Sequence, residues 1–160
     1  MLGSLRGRVP LSLIQLVLRP LPPFVGARSI GFGLRLAGAR VGKSSLFWGM
    51  PTLAGARGDL ASNLEIGELC GLNFGCYFEL DALVSLADHV AIGHEVTFLT
   101  RSRSSENPAC RGRESAAKPV RVEAGAWIGS RSMRSAAPCG SAVCRGRREP
   151  GSGRARGGAR

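Results

Sequence analysis

Two histidines, His89 and His94, are the only imidazoles in the chain, and imidazole is the side chain whose ordinary titration lies nearest neutral pH. Either can act as a general base that takes a proton from a hydroxyl. A pair five residues apart can also enter a metal site, but a third ligand would have to come from Asp88 or Glu95, because no His follows His94. No metal is therefore expected, and the plainer reading sets both rings on an outer polar face beside Val90 and Val96. The five cysteines stand at 70, 76, 110, 139 and 144 without a Cys-x-x-Cys pair. That pattern indicates neither a zinc ribbon nor a disulfide framework, and the expected setting is the reducing cytoplasm.

The formal charge of +11 on 160 residues first suggests a nucleic-acid or membrane-surface protein. Position corrects that impression: residues 131–160 hold eight Arg against one Glu, a balance of +7, which leaves +4 for residues 1–130. The tail contains no Leu, Ile, Phe, Tyr or Trp, so it is expected to be disordered and to add no coil. An Arg/Gly/Ala/Pro/Cys mixture is what GC-rich DNA encodes in a wrong frame, and an out-of-frame product is the working hypothesis for it. A nucleic-acid arm is not expected, because no aromatics are interleaved for base stacking.

The elements that must position any chemistry lie upstream. Residues 1–35 are expected to form an N-terminal cap, with a short apolar helix over 10–18 ended by Pro20, Pro22 and Pro23. Its alternative role is an interfacial anchor on a membrane. The run Leu11 to Leu18 is too short to span a bilayer, and no small-residue cleavage pattern follows Arg6 and Arg8 as a secretory signal would require.

From residue 60 onward every sixth residue is large and apolar: Leu60, Ile66, Leu72, Phe78, Val84, Val90 and Val96. A series offset by two gives Phe74, Leu80, Leu86, Ile92 and Phe98. Twelve of twelve at 44% apolar content has a chance probability on the order of 1 in 10,000, so the period is a property of the fold. Six is the period neither of a helix nor of an alternating strand; it belongs to a hexapeptide repeat. Three hexapeptides close a coil of 18 residues, and coils stack by parallel pairing, which predicts a column of Leu60, Phe78 and Val96. Gly67, Gly71, Gly75 and Gly93 then serve tight corners or close packing, and Cys70 and Cys76, six apart, are expected as small corner fillers. Residues 101–118 lack the pattern, which resumes at Val122 and Ile128, so a loop is inserted between coils.

Physics alone leaves the handedness of such a coil open. The segments Val41-Gly42, Ile66-Gly67-Glu68-Leu69-Cys70, Asp88-His89-Val90-Ala91-Ile92-Gly93 and Ala126-Trp127-Ile128-Gly129, with the run from Gly71 to Glu79, resemble the hexapeptide-repeat acyltransferases. Within them the chain is most similar to maltose/galactoside and polysaccharide O-acetyltransferases. The resemblance covers roughly residues 30 to 130. It implies an all-β fold, a single-stranded left-handed parallel β-helix over 36–130 with its inserted loop, a homotrimer, acetyl-CoA as acyl donor, and a sugar or polysaccharide hydroxyl as acceptor.

The same resemblance assigns residues. Its base is a His in a Thr-x-x-His pattern at the start of the loop, where this chain has Thr100-Arg101-Ser102-Arg103. Arg103 thus stands at the expected base position, and a guanidinium cannot accept a proton at neutral pH; His94, and after it His89, is the fallback. Asn73 and Glu79 match acceptor-binding positions; Trp127, one residue before the inward Ile128, is read from that position as outward near the loop, where it either flanks the acyl donor or covers a subunit contact. The rival readings are a non-catalytic hexapeptide scaffold and a metal-dependent enzyme resembling the hexapeptide carbonic anhydrases.

Overall fold

The computed structural model describes residues 9–20, 22, 24–56, 59–101 and 117–135, and the backbone of 142–144. Two helices, α1 (Leu11–Leu18) and α2 (Ala27–Ala37), precede the strands β1 (Arg40–Val41), β2 (Leu46–Phe47), β3 (Thr52–Ala54), β4 (Leu64–Ile66), β5 (Gly71–Leu72), β6 (Tyr77–Glu79), β7 (Val84–Leu86), β8 (Ala91–Ile92), β9 (Thr97–Leu99), β10 (Val120–Val122), β11 (Trp127–Ile128), β12 (Met133–Ser135) and β13 (Ala142–Cys144). Successive strands enter three sheets in turn. The first sheet has the order β1-β4-β7-β10-β13, the second β11-β8-β5-β2, and the third β12-β9-β6-β3. Every described pairing is parallel. Three short strands therefore make one turn of a β-helix, and each turn supplies the long crossover that a parallel pair needs.

The register differs from the expected 18. Leu64 pairs with Val84 and Ile66 with Leu86, Leu72 with Ile92, and Phe78 with Phe98, so this coil step is twenty residues. The extra pair lies at the corner after β6, where Leu80 also turns inward and is fully buried. The predicted column is corrected accordingly: Phe78 sits between Leu53 and Phe98, not between Leu60 and Val96. The rings of Phe78 and Phe98 stack with centroids 4.8 Å apart at 9°. Ten of the twelve periodic residues are buried; Leu60 and Phe74 are not, because both fall at corners.

Cys70 and Cys76, expected at corners, are core residues instead. The twenty-residue step sets Cys70 beneath Val90 and Cys76 beneath Val96. The Cys76 thiol donates to the Asn73 carbonyl at 3.2 Å, and burial pushes its pKa up to about 11. Because the folded value lies above the ordinary one, the stabilisation is complete below the unfolded pKa and is lost as pH rises. Between pH 9 and pH 11 the wild type should therefore lose stability more steeply than Cys76→Val, approaching about 1.4 kcal/mol per pH unit. Denaturant melts across that range check it, and equal slopes contradict the burial.

The real corners use left-handed backbone. Leu69, His89 and Gly125 share positive φ in one corner column, and Gly75, Glu95 and Arg131 in another. Gly93 serves close approach rather than φ, since a Cβ there would lie 2.5 Å from the Ser130 nitrogen.

The helices close the open end of the stack. Gly31 of α2 lets Phe47 approach to 3.2 Å of where a Cβ would sit, and Gly33 receives Ile14 and Leu18 of α1. The Arg35 guanidinium donates to the carbonyls of Val41 and Gly42. Helix α1 agrees with the expected cap. Helix α2 was not expected, because its glycines lower helix propensity; packing overrides that preference.

The boundary at 130 is corrected as well. Strand β12 completes a fourth turn and β13 pairs with β10, so the tail does add strand pairing. Arg134 takes the inward position over Phe98, and its Nε is buried with no hydrogen-bond partner among the described residues. The remainder of the tail, and residues 102–116 of the inserted loop, lie outside the described residues. No helix among the described residues is long and apolar enough to cross a membrane.

Candidate functional site

The corner between the second and third sheets gathers the groups with the most chemistry. Phe74, His94 and Ser130 follow one another in successive coils there. The His94 Nδ1 lies 2.8 Å from the Ser130 hydroxyl, and the His94 backbone N–H donates to the same oxygen at 3.2 Å. The imidazole stacks on Phe74 at 5.6 Å and 13°, and Phe24 meets Phe74 in a T-shaped contact at 6.4 Å and 72°. One ring nitrogen is anchored and one ring face covered. In the tautomer that donates Nδ1–H to Ser130, the lone pair is on Nε2, which can then accept a proton. This is the base-and-orienter pairing of nucleophilic enzymes in general form.

The flanking residues define the rim. Arg131 donates to Glu95 at 2.7 Å, and that guanidinium holds the Glu95 carboxyl below its usual range. Asn73 follows β5 on the same corner, its side-chain oxygen accepting from the Phe74 N–H at 3.0 Å. Trp127, 75% exposed on β11, leans toward the corner, with its ring 4.0 Å from where a Cβ of Gly129 would sit.

Glu79 is elsewhere. It is the last residue of β6, at the corner that leaves the third sheet, and accepts from the Arg101 N–H at 2.9 Å. The Arg101 guanidinium reaches Asp81 at 2.8 Å, where the carboxylate side chain is only 4% exposed, and Asp81 also accepts from the Ala56 N–H at 2.7 Å. The Lys118 N–H donates to the Thr100 carbonyl at 2.8 Å. These bonds pin both ends of the inserted loop to the coil. Glu79 thus holds the loop base, whatever else it touches.

Thr100 is inward and fully buried, in the twenty-residue step above Leu80, and its hydroxyl has no hydrogen-bond partner among the described residues. An unpaired buried hydroxyl costs about 1 to 3 kcal/mol. Thr100→Val keeps the shape and removes that cost, so it should raise the unfolding midpoint in denaturant, and a fall in midpoint contradicts the unpaired state.

The structure therefore brings Asn73 and His94 to one corner, with Trp127 beside it, and leaves Glu79 at another. His89 sits at a third corner, exposed, its N–H on the Glu68 carbonyl, so the two histidines share no site. Among the described residues no three His, Cys, Asp or Glu side chains gather as metal ligands. Arg103 lies outside the described residues. Sequence reasoning missed Ser130, Asp81 and Arg101. The Asp81–Arg101 pair is one coil step apart and becomes visible once the step is known to be twenty. Comparison of the chain with protein-family models, curated proteins and solved structures finds no match.

Proposed function

We propose that the chain is an acyl-CoA-dependent O-acetyltransferase acting on a sugar or polysaccharide hydroxyl, built on a single-stranded left-handed β-helix and working in the cytoplasm as a homotrimer. The observation that carries this reading is the stack of parallel three-strand coils interrupted by one long insertion, whose base is pinned by Glu79 and Asp81. It supports the resemblance on which the acyl-transfer chemistry rests.

His94 is the base in this reading. The acceptor hydroxyl attacks the thioester carbonyl, its proton passes to Nε2, the carbon–sulfur bond of acetyl-CoA breaks, and the proton leaves with the CoA thiol. Ser130 holds the tautomer, and Asn73 contributes a donor and an acceptor for sugar hydroxyls. In a homotrimer this site is shared between subunits, with Trp127 flanking the donor.

Incubation of the purified chain with acetyl-CoA and a panel of mono- and oligosaccharides, read as acetylated product by mass spectrometry alongside light scattering, tests the reading. Transfer by a trimer is the expected result. A trimer that binds acetyl-CoA and acetylates no sugar is a non-catalytic scaffold, and a monomer removes the shared site.

A further inference from the structure

Helix α1 buries one side only. Ile14 is buried and Leu18 packs with it on Gly33, while Leu13, Leu16 and Val17 face outward with exposures of 48%, 73% and 61%. The spacing i, i+3, i+4 makes them a continuous apolar stripe on the solvent side of the helix. On α2 the exposed residues are Arg28, Ser29, Phe32 and Leu36, with Phe32 57% exposed, and Phe32 and Leu36 lie one turn apart on that side. Phe24, 66% exposed, and Val25 continue the apolar surface ahead of α2. Capping the coil explains the buried sides of the two helices and leaves these outward sides without a partner among the described residues.

Charge points to the occupant. Residues 1–58 contain eight Lys or Arg and no acid, the first being Asp59, whereas residues 59–130 contain ten acids against six bases. Arg40 of that stretch pairs with Glu65 across the first coil step, but Arg19 and Arg28, at the end of the molecule that exposes the apolar stripes, are exposed and have no acid in their own segment. We propose that α1, α2 and the Phe24–Val25 segment form an interfacial patch that seats on an anionic lipid surface, with the apolar side chains entering the acyl boundary and Arg19 and Arg28 on the headgroups. The patch lies on the membrane and does not span it. A second copy of the chain is the poorer occupant, because a symmetric contact would face Arg19 and Arg28 with like charges and no acid to pair them. The proposal is independent of acyl transfer.

The test is sedimentation of the full chain with vesicles of phosphatidylcholine alone and of phosphatidylcholine mixed with phosphatidylglycerol. Binding to the mixed vesicles, weakened by salt, is expected. Leu16→Ser with Val17→Ser should reduce it about tenfold or more, since each exposed apolar side chain gained on insertion is lost, without changing the circular dichroism. Arg19→Gln should reduce it about fivefold, the equivalent of about 1 kcal/mol per basic residue at an anionic surface. No binding to the mixed vesicles overturns the proposal. Binding that the Ser substitutions leave unchanged also overturns it and assigns the contact to the arginine-rich tail. A smaller oligomer in the Ser variant, seen by light scattering without vesicles, overturns it in favour of a contact between copies.

Discussion

Phe78→Ala is expected to destabilise the chain by about 3 to 5 kcal/mol, the range for emptying a fully buried aromatic site. Phe78 is wholly inaccessible; its neighbours along the column are Leu53 below and Phe98 above. Strands of two or three residues fixed in parallel register cannot slide to refill such a hole, so the cavity term adds to the lost transfer energy. Phe98→Ala should cost a similar amount. The double substitution should cost less than the two combined, because the 4.8 Å ring stack is removed by either one. Denaturant unfolding measures all three. A loss below about 1 kcal/mol for Phe78→Ala contradicts the observed register, and strict additivity contradicts the stack.

That column also explains how far the fold is legible in the chain. The period of six is visible because inward positions in short strands recur at fixed intervals and each must be apolar. The register is hidden. The lengthened corner after β6 moves the count from the second inward position of each strand, Ile66, Leu72 and Phe78, to the first, Val84, Val90 and Val96. Both positions point inward, so hydropathy passes through the shift without a break, and a step of twenty reads as eighteen. Cys70 and Cys76 occupy the first position in the earlier coil. A cysteine is small and ambiguous in polarity, which is why it passes for a corner residue. Helix α2 is masked by Gly31 and Gly33, whose lack of a side chain is what lets helix and coil approach.

The site is legible to a smaller degree for a related reason. His94 stands out by rarity, and Asn73 by the motif around it. Ser130, which fixes the imidazole, lies thirty-six residues further on, a separation set by the length of an insertion that carries no repeat. Pairings across coils follow from the register, and pairings across the insertion follow only from where the repeat resumes. Glu79 illustrates the converse: its residue type suits a sugar, yet one carboxylate oxygen accepts from the first residue of the loop.

The largest effect on activity is expected at His94. His94→Gln keeps a polar side chain of similar length but offers no basic nitrogen, and acetyl transfer should fall by about 10² to 10⁴-fold, the usual worth of a general base. The loss should appear in kcat, with the KM for acetyl-CoA little changed, because the proton is taken only as the hydroxyl attacks. Ser130→Ala leaves the imidazole in place and frees Nδ1, so its loss should be smaller and in the same direction. His89→Gln, altering an exposed corner on another edge, should leave transfer unchanged. Arg103→His separates this assignment from the one the resemblance implies. If the base belongs in the loop, the new imidazole raises transfer and His94→Gln costs little; with His94 as base, Arg103→His adds nothing and His94→Gln abolishes what the wild type does. Steady-state rates for the four variants, each confirmed by circular dichroism to retain the coil, decide between the two positions.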